Sequence, residues 1–196
     1  MKDQIIAAAT EFYGPPENPD KDFYLPSYGA GLELELSQEL LKAFEIETLT
    51  EPNYDRCYRM YLGSQTHIFS LMVSLVHPFV CLWGGRRRFG IDRVYTGMEG
   101  KLDKTETYII KIIEKHGLVL VPAAVILEKT PFKFADWYES DGDFLIYHLL
   151  FATATSESYH IDDLREIVID EECGPIRRYL RQWNRHSFQI EFGKEG

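Results

Sequence analysis

Four runs rich in β-branched and aromatic residues follow one another through the middle of the chain: CYRMYL, HIFSLMVSLV, FVCLW and a weaker RRFGIDRVY. Residues of this kind pack well on a pleated, half-buried surface and poorly in a helix. The breaks between them, Leu62-Gly63-Ser64, His77-Pro78 and Gly84-Gly85, carry turn chemistry. An antiparallel meander of three or four strands is the economical solution.

Helical patterns flank this block. Ile5, Ile6, Ala9, Phe12 and Tyr13 recur at helical spacing over residues 3–13. LELEL at 32–36 alternates, so it is either a strand or the lead-in to a helix capped by Ser37 and carrying Leu40, Leu41 and Phe44. Asp103 and Glu106 have the spacing of a capping box, followed by Ile109, Ile112 and Ile113 and a stop at Gly117. LVLV at 118–121 is a short buried strand closed by Pro122, and residues 142–152 are apolar enough for either a strand or a helix. Gly174-Pro175 opens a last helix with an Arg177, Arg181, Arg185 line, and SFQIEF reads as an edge strand. The expected fold is α+β, a single globular domain over residues 1–196 with a central antiparallel sheet and flanking helices, and with 14–28 as a Pro-rich acidic loop or arm.

No apolar run reaches the roughly 18 residues that span a bilayer, and the N-terminus is unlike a signal peptide, so a cytoplasmic protein with no membrane partner is expected. Cys57, Cys81 and Cys173 are widely spaced without a CxxC, which suits reduced, structural thiols.

The charge is uneven. The first 56 residues hold twelve acids and four bases, a net of −8 out of −10 for the whole chain. A concentrated acidic surface speeds encounter with a basic partner and opposes nucleic acid as a ligand. Arg86-Arg87-Arg88 is the densest basic spot. It either contacts phosphate or an acidic partner, or neutralises the acidic arm within the molecule.

Chemical motifs are sparse. Gly29-Ala-Gly31 lacks the third glycine of a dinucleotide fingerprint, and no cofactor is indicated. The six histidines never fall at HxH, HxxxH or HExxH spacing. One pattern fits a metal-dependent nuclease: Asp92 with the Glu99-Gly-Lys101 turn, in which the carboxylates would hold a divalent ion and the lysine would position the attacking water. Against it stand the flanking glycines and the acidic charge. Trp137 and Tyr138, set among Asp136, Glu139, Asp141 and Asp143, have the composition of an interface hot spot with a charged rim. An ordinary loop with its aromatics folded under it is the plain alternative.

The stretch Tyr108-Ile-Ile-Lys-Ile-Ile-Glu-Lys-His-Gly-Leu-Val-Leu-Val-Pro, an acidic turn, and Tyr147-His-Leu-Leu-Phe151 together resemble the C-terminal half of several bacterial immunity proteins of polymorphic-toxin and contact-dependent systems. The resemblance covers about a quarter of the chain and implies a protein without chemistry of its own that blocks a cognate toxin domain by direct contact. Asp136, Trp137, Tyr138, Glu139, Asp141 and Asp143 are then the expected partner contacts. The alternatives are the nuclease and a non-catalytic accessory protein of a mobile element.

Overall fold

The computed structural model describes residues 1–20, 32–48, 50, 55–88, 93–98, 100–134 and 144–151. Among these residues the fold is α+β, with six strands and five helices. The helices are α1 (Lys2–Tyr13), α2 (Leu32–Leu40), α3 (Lys104–Lys115), α4 (Ala123–Ile126) and α5 (Ile146–Phe151). The strands are β1 (Glu45–Thr48), β2 (Cys57–Gly63), β3 (His67–Ser74), β4 (Phe79–Arg86), β5 (Arg93–Tyr95) and β6 (Val119–Leu120).

The meander is present and larger than its sequence suggests. Strands β1 to β5 lie side by side in chain order, all antiparallel, while β6 pairs parallel with β4 through Phe79–Val119 and Val80–Leu120. Nearly every residue of β2, β3 and β4 is buried, as expected of central strands covered on both faces. The His77–Pro78 bond is cis and lies in the turn between β3 and β4.

Antiparallel partners share a face of the sheet, so the register assigns the side chains. Leu62 pairs with Phe69, Phe69 with Gly84 and Gly84 with Arg93, and two residues along from these lie His67, Arg86 and Tyr95. The first turn of α3 and the segment after α2 cover this face: Phe44 meets Phe69 edge-on with centroids 5.7 Å apart, and the Tyr95 hydroxyl donates to Glu106 at 2.9 Å. On the opposite face the Cys57 thiol lies 3.5 Å from the Phe151 carbonyl of α5, and Tyr13 of α1 donates to the Leu149 carbonyl at 3.1 Å. Arg56 is buried beside this layer, its guanidinium 3.7 Å above the Phe134 ring. A cation there sits against the electron-rich face of an aromatic side chain.

Three sequence expectations are corrected, the first in the helix that begins at LELEL. Of the two readings of LELEL the helical one holds: Leu36 and Leu40 stand four apart on the buried side of α2. Leucine and glutamate both favour helices, which outweighs a five-residue alternation. Ser37 is therefore no cap but lies inside α2, donating to the Met60 sulfur at 3.3 Å, while Leu41 and Phe44 lie beyond the helix. Second, Gly84-Gly85 is not a turn, because β4 runs through both to Arg86. Third, the EIET segment forms β1, a strand that the meander expectation omits. For residues 142–152, the described part from Ile146 to Phe151 is helix.

Gly84 is required by packing. A Cβ there would lie 2.5 Å from the Ile68 carbonyl oxygen and 2.5 Å from the Phe69 ring. The oxygen belongs to the ladder itself and cannot turn aside. Gly84→Ala is expected to destabilise the protein by about 2–3 kcal/mol, the upper part of the range for overpacking. Urea denaturation of the two chains measures it; an unchanged midpoint would show that β3 and β4 can separate at no cost.

Candidate functional site

The register of β3 on β4 places His67 opposite Arg86 at the end of the sheet where α3 begins. Asp103 is the N-cap of α3. Its Oδ1 accepts from the Thr105 and Glu106 amides at 2.9 and 3.1 Å, and Glu106 Oε2 accepts from the Asp103 amide at 2.7 Å. The capping box read from the sequence is thus complete. Both carboxylates also reach into the sheet. Asp103 Oδ2 lies 3.0 Å from His67 Nε2 and 3.6 Å from Arg86, while Glu106 Oε1 meets the Tyr95 hydroxyl and, at 3.5 Å, Arg93.

His67 is only 3% exposed, stacked parallel to Phe69, with its Nδ1 2.9 Å from the Thr66 hydroxyl. Its Nε2 is close to Asp103 but out of line for a hydrogen bond, so the contact is an ion-pair approach and the nitrogen has no aligned partner. Burial alone would raise the Asp103 carboxyl. The Glu106 amide, the His67 and Arg86 charges and the Thr105 amide outweigh it and hold the group below its ordinary value.

His67, Asp103 and Glu106 bring one ligand-type atom each within 4.8 Å of one another, the one such group among the described residues. A divalent ion would need those carboxylate oxygens, and two guanidinium groups already approach them. Three of the four oxygens also have a structural task in the cap or on Tyr95, and the fourth, Asp103 Oδ2, faces His67 and Arg86. The arrangement is that of an ion-pair network joining sheet to helix.

Beside this network lies an open groove of about 810 Å³, lined by the Gln65–His67 turn, Arg86, Arg87, Arg88 and the Asp103–Thr105 start of α3. The basic triplet therefore begins at the end of β4 and faces the α3 cap; Arg86 is engaged with Asp103 and not with the acidic N-terminal quarter. That quarter has its own local pairing at Glu39, which accepts from Lys115 at 2.7 and 2.9 Å and contacts His116 at 3.0 Å. Lys115 and His116 hold the Glu39 carboxyl below its ordinary value and join α2 to the end of α3.

Asp136, Trp137, Tyr138, Glu139, Asp141 and Asp143 all lie outside the described residues, as do Asp92 and Glu99. Lys101 is described and exposed, two residues before the cap. The Gly29-Ala-Gly31 segment, Cys173 and the Arg177–Arg185 line are likewise outside. Cys57 and Cys81 are free and buried. Burial pushes the Cys57 thiol up, aided by Asp55, and the Cys81 thiol up to about 12, so both stay protonated and poorly nucleophilic near neutrality. No described helix is long and apolar enough to cross a membrane. Comparison with family models, with curated proteins and with solved structures finds no match to this chain.

Sequence reasoning finds Asp103 and Glu106 as a cap but not as a site. Asp103→Ala removes the acceptor for two amides and is expected to cost about 1–2 kcal/mol at pH 7. A carboxylate whose folded pKa is depressed stabilises the fold above its unfolded value, which is near 3.8, and that contribution fades as pH falls through the lower folded value. The stability gap between parent and variant should therefore narrow below about pH 4. Urea titrations at pH 7 and in the acid range test it, and a gap that widens in acid contradicts the assignment.

Proposed function

We propose that this is an immunity-type binding protein that neutralises a cognate toxin domain by direct contact, offering carboxylates to a basic partner. One observation carries the reading. Asp3, Glu11, Glu17, Glu35, Glu45 and Glu47 are exposed and enter no ion pair among the described residues. Arg86, one of the three consecutive arginines that could neutralise this charge internally, turns to Asp103 instead.

Four of these six carboxylates fall on two elements. Asp3 and Glu11 lie on α1, whose buried side is Ile5, Ala9 and Tyr13. Glu45 and Glu47 lie on β1, which ends the β1–β5 order and pairs with β2 alone among the described strands. Charged side chains on an edge strand discourage indiscriminate strand pairing, and they also present a fixed array to a partner. The Pro-rich arm begins against the body, with the Lys133 amide donating to the Pro16 carbonyl at 3.0 Å. The aromatic and acidic residues at 136–143 complete the proposed interface by their composition.

The test is association with a toxin domain encoded beside this gene. A 1:1 complex is expected whose association rate falls at least about tenfold between low and high salt, because steering acts through screened charges. Glu45→Lys with Glu47→Lys should slow association and leave the dissociation rate nearly unchanged. A salt-insensitive association rate would remove the electrostatic half of the proposal. A toxin domain that does not bind at all would remove the whole.

A further inference from the structure

The outer edge of β1 is open. Among the described residues Glu45–Thr48 pair with β2 alone, and these four residues make no further backbone hydrogen bond. Alternate residues of an edge strand turn their N–H and C=O groups away from the one neighbour, which leaves a template for another strand. The register decides what that template presents. Glu45 and Glu47 lie opposite Gly63 and Tyr61 and share their face of the sheet. Ile46 and Thr48, opposite Leu62 and Met60, lie on the face that receives α3. Both glutamates are exposed, and Ile46 is half-buried. A Cβ on Gly63 would lie 3.4 Å from the Arg87 guanidinium and 4.0 Å from the Glu45 carboxylate, so Arg87 reaches to the same side, without an ion pair to Glu45.

The strand begins at a second groove, which adjoins the first and has a volume of about 780 Å³. Its lining runs from Leu41 to Glu45, along the Gly63–Thr66 turn and onto the first turns of α3. Leu41 is 59% exposed and Tyr108 37%, and the Tyr108 ring is backed by Phe44 with centroids 6.3 Å apart. Large apolar side chains left in solvent beside one another suit a contact surface. Lys42 and Lys104 also line this groove, so it is the glutamates of β1, and not the groove, that call for basic residues.

We propose that β1 accepts an added antiparallel strand from a basic protein partner. That strand carries lysine or arginine at alternate positions opposite Glu45 and Glu47, and an apolar side chain past Glu45 that enters the groove at Leu41 and Tyr108. The inference names how the partner is held and rests on the binding reading above for that partner's basic character. Main-chain hydrogen bonds supply the affinity of such an addition, and alternate side chains its selection. Opposite charges across an antiparallel pair are favourable and like charges are not. A second copy of this chain is therefore disfavoured: in the registers that keep the Ile46 face continuous, β1 against β1 sets Glu45 opposite Glu47.

The probe is a short acetylated and amidated peptide of alternating lysine and valine ending in phenylalanine, titrated into the full chain, with amide hydrogen exchange read residue by residue. Binding is expected to slow exchange within residues 45–48 at least about tenfold, since an open edge otherwise exchanges readily. The same peptide with alternate amides N-methylated keeps every charge and loses its ladder donors, and it should bind at least about tenfold more weakly. Glutamate in place of each lysine should weaken binding as much. Glu45→Lys with Glu47→Lys should reverse the preference between these two peptides, and an unchanged circular dichroism spectrum confirms that the variant folds. No peptide bound at millimolar concentration overturns the proposal, as does equal binding of the N-methylated form. Protection confined to other segments overturns its location, and indifference to peptide charge overturns its selectivity. A dimer of this chain that protects residues 45–48 would make a second copy the occupant and overturn the basic partner. A toxin domain that binds and leaves 45–48 unprotected removes strand addition alone, whereas peptide protection without toxin binding supports the accepting edge and removes the immunity reading.

Discussion

The contact of the Phe69 ring with the bare backbone of Gly84 sets the position of everything at this end of the molecule. It fixes how far β4 can slide along β3, because only a residue without a side chain fits beneath that ring. Side chains alternate with a period of two, so a slip of one residue would send His67 and Arg86 to opposite faces. With the register held, His67, Arg86, Arg93 and Tyr95 emerge together on the face that receives α3. The ion-pair network is a consequence of strand pairing before it is anything else.

The helix contributes the complementary half. An N-cap aspartate would suffice to satisfy the first amides of α3, and most caps stay at the surface. Here the Asp103–Glu106 pair is driven against the sheet, with Glu106 only 4% exposed. A carboxylate in that position is tolerable because the Asp103 amide, the Tyr95 hydroxyl and Arg93 surround it. Burying charge in this way adds little net stability, since desolvation consumes most of the attraction. What it does supply is geometry: α3 can enter over the sheet at one place only, and the groove between its first turn and the end of β4 is the result.

How much of this could be read in advance follows from the range of the interactions. The β2, β3 and β4 runs announce themselves because both faces of each strand are buried, and the capping box because its two residues are three apart. β1 is silent because an edge strand with Glu45 and Glu47 needs no apolar pattern. Gly84-Gly85 misleads because glycine marks both a tight turn and a close packing contact, and local sequence does not distinguish them. The site is illegible for a stronger reason. His67, Arg86, Tyr95 and Asp103 come from three strands and a helix cap, and only the register brings them together. The hot spot at 136–143 and the Asp92–Glu99 pair lie outside the described residues, so the sequence remains the only witness to them.

Net charge then has to be read locally. At physiological ionic strength the field of an exposed charge fades over about 8 Å, so a carboxylate two such lengths away barely alters the potential at Arg86. Within a chain of −10 the arginines at the end of β4 therefore respond chiefly to the acids beside them, Asp103 and, in the adjoining groove, Glu45. Asp103 is held by its amides, His67 and Arg86, and Glu39 by Lys115 and His116. The exposed acids of α1 enter no ion pair among the described residues, which leaves them available to act at a distance on whatever approaches. Acidity as a total argues against a polyanion that must follow the surface, but it does not set the potential at any one side chain.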